Sequence, residues 1–130
     1  MDRVTTMKVM IVDDSRSMRR LIKMALKHVG EVDVVEAENG VEAIQKFQEG
    51  FPDLILLDWN MPKMTGLDFL RRVKSHEQLK EIPVLMVTSE GRSAEIKKAL
   101  SAGAASYLVK PFKPPDLAER ITSVVGAENL

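Results

Sequence analysis

Three aspartates, a threonine and a lysine stand where short apolar runs of this sequence end. Asp13 and Asp14 close "VMIVDDS", Asp58 follows "LILL", Thr88 ends "PVLMVT" and Lys110 follows "SYLV". Two unit charges ~5 Å apart repel by about 3 kcal/mol at an effective dielectric near 20. If the three carboxylates meet, Lys110 offsets one charge and a hard divalent cation is the natural remainder. Magnesium suits such a set, because it takes a few carboxylates plus waters and leaves positions for phosphate oxygens. A metal beside a free carboxylate, faced by an ammonium and a hydroxyl, fits phosphoryl transfer. Asp58 is then the nucleophile that becomes an aspartyl phosphate, and Mg2+, Lys110 and Thr88 hold the phosphoryl oxygens.

Each of these residues alone has a plainer reading. An acidic pair before a helix serves as a cap, an aspartate after a strand caps a loop, and a threonine suits a strand. What joins them is the order of elements. "KVMIVD", "VDVVEA", "DLILLD", "IPVLMVTS" and "ASYLVK" read as five strands, nearly continuous in apolar character, as strands buried on both faces are. Between and after them, apolar residues repeat at helical spacing. The first helix carries Met18, Leu21, Ile22, Ala25, Leu26 and Val29, and the second Val41, Ile44 and Phe47. The third carries Leu67, Leu70 and Val73, the fourth Ile96, Ala99, Leu100 and Gly103, the last Leu117, Ile121, Val124 and Val125.

Five strand–helix pairs predict an α/β fold: one five-stranded parallel sheet, (βα)5, flavodoxin-like, with helices on both faces. Gly30, Gly50 and Gly103 fall where helices should stop, Pro114 and Pro115 where one should start, and Thr65 with Asp68 makes a capping pair. In open parallel sheets, ligands sit beyond the carboxyl ends of the strands. Asp13, Asp14, Asp58, Thr88 and Lys110 are therefore expected on one rim. The end of the second strand, "EAEN", offers no evident reactive group.

Composition narrows the function classes. The chain has 130 residues, 45% of them apolar, the size and content of one domain, 1–130, with no room for an output domain. Lys plus Arg and Asp plus Glu number 19 each, which argues against general attraction to nucleic acid or anionic lipid. The absence of cysteine excludes thiol catalysis, disulfides and thiolate metal sites. No apolar run approaches the roughly 20 residues of a membrane span, so a cytoplasmic location is expected, with no membrane insertion. His28 and His76 lie near predicted helix C-termini, where a partly positive ring suits the dipole.

"VDDS", "LLDWNMPKMTGLDFL", "IPVLMVTSE" and "GAASYLVKPF" occur in the order and spacing of a known family. The chain resembles, over nearly its whole length, the receiver domain of the two-component response regulators. "DWNMP" and "PVLMVT" are closest to its single-domain chemotaxis members. The strand order 2-1-3-4-5 comes with that resemblance. So do further roles: Asp13 and Asp14 as the acidic metal pair, Asp58 as phosphoacceptor and metal ligand, and Asn60 lending its backbone carbonyl to the ion. Thr88 becomes the hydroxyl that contacts the phosphoryl group, Lys110 the lysine before a cis proline, and Tyr107 the aromatic that turns inward as Thr88 moves. Glu90 occupies the position at which the family tunes autodephosphorylation, and Thr65 stands where the family often has an acid.

The resemblance implies a phosphorylation-operated switch and not an enzyme in its own right. Its cofactor is Mg2+ and its donor a histidine kinase of the chemotaxis type. Its effector is the flagellar motor switch protein, a phosphatase is a further partner, and the protein is expected to be a monomer. The alternative is a relay intermediate passing phosphate to a histidine phosphotransfer protein. A hydrolase of the aspartyl-phosphate type needs a second aspartate two residues after the nucleophile, and Asn60 cannot shuttle a proton. A flavodoxin-like cofactor carrier is disfavoured because "DDS" would repel a cofactor phosphate.

Overall fold

The computed structural model describes residues 6–126. Five strands alternate with five helices: β1 Met7–Val12, α1 Arg16–Leu26, β2 Val32–Ala37, α2 Gly40–Lys46, β3 Leu54–Leu57, α3 Gly66–Ser75, β4 Val84–Thr88, α4 Ser93–Ser101, β5 Ser106–Val109 and α5 Pro114–Val125. All four strand pairings are parallel and the order is β2-β1-β3-β4-β5, as the family resemblance implies.

Successive residues of a strand face opposite sides, so each strand feeds two cores. Met10, Val12, Ile55, Leu57 and Met86 pack on one face with Phe69, Leu70 and Val73 of α3, Ala43 of α2 and Ala99 of α4. Val9, Ile11, Leu54, Leu56 and Leu85 pack on the other with Ile22, Ala25 and Leu26 of α1 and Leu117 and Ile121 of α5. β3 is buried throughout, which explains why its sequence shows no alternation.

Helix starts are fixed by side chains. Ser15 Oγ accepts from the Met18 N–H at 3.2 Å, Asn39 Oδ1 from Glu42 N–H at 2.9 Å and Thr65 Oγ1 from Asp68 N–H at 3.1 Å. Pro114 and Pro115 open α5, and the Asp116 carboxylate accepts from the Lys113 N–H at 3.1 Å. Gly30, Gly50 and Gly103 follow helices with φ of +136°, +126° and +112°, where a side chain would be strained.

Three helices differ from the periodicity. α2 stops at Lys46 and Phe47–Glu49 form a separate 3-10 turn. Ala43 is buried there, whereas Val41 and Ile44 remain 39% and 36% exposed. On α1, Leu21 is 45% exposed while Arg19 is buried; on α4, Leu100 is 44% exposed. Helical spacing identifies a stripe, but the sheet covers only the centre of it.

The register carries the consequence for function. Val12 lies beside both Ala37 and Leu57, and Thr88 beside Val109. The ladder then runs on by single bonds: Asp13 N–H to Ala37 O at 3.0 Å, Asp58 N–H to Val12 O at 2.9 Å and Lys110 N–H to Thr88 O at 2.8 Å. The residue after each of β1, β3 and β5 is therefore still held by the sheet. Leu56, 1% exposed in the central strand, tests this platform. Leu56→Ala is expected to cost about 2–5 kcal/mol in a urea unfolding curve.

Candidate phosphoacceptor site

Asp13, Asp14 and Asp58 offer carboxylate oxygens that all lie within 4.8 Å of one another. Asp13 and Asp58 are buried at 2% and 7% exposure, and Asp14 is exposed. None of the three caps α1, because Ser15 does. That removes the plainer reading of the acidic pair.

Lys110 bridges the cluster. Its Nζ donates to Asp13 Oδ2 at 2.7 Å and stands 3.7 Å from Asp58 Oδ2. The Lys110–Pro111 peptide is cis. Asp13 Oδ1 accepts from the Ser15 N–H at 2.9 Å, and Asp58 Oδ1 from the Trp59 N–H at 2.7 Å. Burial pushes the Asp58 carboxyl above the usual carboxylate range, while the Thr88 hydroxyl and the Lys110 ammonium pull it back. One ammonium faces three carboxylates. A small hard cation bound by oxygen ligands is the chemistry this donor set fits.

Thr88 is fully buried at the end of β4, and its hydroxyl accepts from the Glu90 N–H at 3.3 Å. Tyr107 is 6% exposed, and its hydroxyl donates to the Glu90 carbonyl. Burial, followed by the Glu90, Glu95 and Asp58 charges, raises that phenol to about 12. Glu90 thus touches both residues assigned to the switch, and Arg92 holds its carboxylate with contacts of 2.8 and 2.9 Å. Asn60 lies exposed in the loop after β3. His28 is exposed after α1, and His76 caps the end of α3.

Two supports were not evident in the sequence. Arg19, buried in α1, donates to the Asp13 backbone carbonyl at 2.7 Å and pairs with Glu36 at 2.9 Å. Lys23 reaches the same glutamate at 2.8 Å, so the end of β2 contributes by anchoring the arginine beneath Asp13. The only available signal was a charged residue inside the apolar stripe of α1. The second is Gly66. Its N–H donates to Trp59 O at 2.8 Å, and a Cβ there would stand 2.1 Å from the Asp58 carbonyl oxygen. No side chain fits at that distance, so only glycine lets α3 close against the phosphoacceptor loop.

A fold of this order with this acidic rim defines a receiver module, a phosphoacceptor switch rather than a classical enzyme. The profile of the response regulator receiver domain matches residues 9–122, and the chain belongs to that family. It is 48% identical over 124 residues to chemotaxis protein CheY1 of Helicobacter pylori, covering 95% of this chain and 100% of the relative. Identity to chemotaxis protein CheY of Pseudomonas aeruginosa is 45% over 123 residues, covering 95% of this chain and 99% of the relative. The crystal structure of CheY4 of Vibrio cholerae superposes with a TM-score of 0.84 at 38% identity, covering 92% of this chain and 99% of that one.

Two outcomes test the supports. Gly66→Ala is expected to abolish any magnesium-dependent change in Trp59 fluorescence while leaving the far-UV circular dichroism of a folded α/β protein. The hydrogen bond from Lys23, with further help from Arg19, holds the Glu36 carboxyl below its ordinary value. Its stabilisation is present above the unfolded-state range and is lost as pH falls through the lowered folded value. Glu36→Gln should therefore lose stability at neutral pH and show a shallower acid decline, read from urea midpoints at stepped pH.

Proposed function

We propose that this protein is a chemotaxis response regulator that takes a phosphoryl group on Asp58 from a histidine kinase and then binds the flagellar motor switch. The observation that carries the reading is the meeting of Asp13, Asp14 and Asp58 under Lys110. The chemotaxis assignment is supported by near full-length similarity to proteins of that name.

Asp13, Asp14, Asp58 and the Asn60 carbonyl would hold Mg2+, which when bound neutralises the carboxylates and the incoming phosphoryl oxygens. A carboxylate oxygen of Asp58 attacks the phosphorus of a phosphohistidine. The new P–O bond forms as the P–N bond breaks, and the imidazole leaves with the electron pair. Lys110, now divided between Asp13 and Asp58, donates to a phosphoryl oxygen. Thr88 turns its hydroxyl to another, which loosens its contact with the Glu90 N–H. Tyr107, already bonded to the Glu90 carbonyl, follows that loop. The phosphoryl group thereby favours one of two pre-existing arrangements of the α4–β5–α5 face, which a separate effector reads. A phosphatase would reset the switch.

Asp58→Asn should take up no phosphoryl group from acetyl phosphate in a radiolabelling assay; full stoichiometric labelling of that variant would overturn the assignment. Asp14→Ala should weaken magnesium-dependent quenching of Trp59 at least tenfold, equivalent to about 1.4 kcal/mol. Titration with the N-terminal segment of a motor switch protein should show tighter binding with phosphodonor than without. Normal phosphate loading with unchanged affinity for the segment would instead put the relay reading first.

A further inference from the structure

A second concavity lies between the end of α2 and the C-terminal half of α3, lined by residues with no part in the acidic site. The groove is open to solvent and has a volume of about 530 Å³; Ile44, Phe47, Phe51 and Leu79 line it, together with the polar Gln48 and Gln78. Small-molecule sites occupy about 300–1,000 Å³ and are mostly apolar, with a few polar groups that fix orientation. Three of the four phenylalanines of the chain meet here. Phe47 stacks on Phe69 with ring centres 6.1 Å apart and meets Phe51 edge-on at 6.1 Å. Phe69 and Val73 are closed to solvent, while Ile44 and Phe51 are 36% and 46% exposed. The floor is therefore fixed, and two apolar walls stand open to water.

The rim selects a charge. Arg72 and His76 line the cavity and no acidic side chain does. The Arg72 guanidinium, like those of Arg16, Arg20 and Arg71, has no ion partner among the described residues; only its backbone carbonyl is engaged, by the Ser75 hydroxyl at 3.1 Å. His76 Nδ1 accepts from the Gln78 N–H at 3.1 Å, which leaves the ring proton on Nε2 as a donor. An apolar cavity with one unmatched guanidinium and one imidazole donor complements an apolar body ending in a carboxylate.

We infer that the α2–α3 cavity binds a small hydrophobic monocarboxylate, its apolar body against Ile44, Phe47 and Phe51 and its carboxylate at Arg72 and His76. The site lies outside the phosphoacceptor rim and needs no phosphorylation to form.

The test titrates 4-phenylbutyrate and its neutral analogue 4-phenylbutan-1-ol into the isotopically labelled protein, following amide shifts by NMR. Saturable shifts confined to residues of α2, the 47–51 turn and the second half of α3 are expected, with the alcohol at least tenfold weaker. Arg72→Gln should weaken the acid at least tenfold and leave the alcohol unchanged, and Ile44→Asp should abolish both. Each variant should still take up phosphoryl label on Asp58, which separates lost binding from unfolding and from failure of the switch reading. Arg72→Gln alters an exposed residue and keeps the test informative if Ile44→Asp does not fold. Equal affinity for acid and alcohol, shifts mapping elsewhere, or no saturation at millimolar probe would each overturn the inference. So would self-association of the protein through this cavity that the acid does not displace.

Discussion

Like-charge repulsion among Asp13, Asp14 and Asp58 is the constraint around which the rest of the molecule is organised. Carboxylates whose oxygens lie within 4.8 Å of each other separate unless something rigid prevents it. The parallel sheet does so, because Asp13 and Asp58 each follow a strand whose hydrogen-bond ladder extends one residue beyond the strand itself, and Asp14 is next to Asp13. Lys110 reduces the repulsion only in part. It sits 1.0 Å nearer Asp13 than Asp58, taking the difference of 3.7 and 2.7 Å, so Asp58 is the less compensated of the two buried acids. Burial raises the Asp58 carboxyl, and the asymmetry leaves its oxygens incompletely matched.

The helices are arranged to spare these carboxylates other work. Ser15, Asn39 and Thr65 satisfy the first free N–H groups of α1, α2 and α3, duties that an aspartate at a strand end often takes. Arg19 spends its guanidinium on a backbone carbonyl and on Glu36 and so stiffens Asp13 without neutralising its side chain. Loss of Glu36 would leave the buried Arg19 guanidinium on the Asp13 carbonyl without its nearest counter-charge.

Strand positions and the rim were legible in the sequence because burial on both faces leaves an unbroken apolar run, and the first polar residue after it marks the rim. Leu54–Leu57 lies within the run "DLILLD", and Thr88 and Lys110 fall where the runs end. The outer edges of the helical stripes were less legible. Val41, Ile44, Leu21 and Leu100 share the period of the buried residues, yet they point past the sheet's edge. Arg19 was hidden for the opposite reason. A charged side chain within an apolar stripe reads as solvated, and its partners, Glu36 and the Asp13 carbonyl, are brought to it only by tertiary structure. Gly66 stood inside a quoted motif, but the closeness that requires glycine there is a distance between backbones, which composition does not encode.

That closeness ties Asp58 to a helix whose buried face lies well away from it. The backbone of α3 abuts the Asp58 carbonyl at Gly66 and is seated in the core through Phe69, Leu70 and Val73. A change of volume at any of those three positions would be carried along the helix to its first residue. In genetic terms the target for loss of signalling extends along α3, and alleles there would score with the acidic rim although they touch none of it.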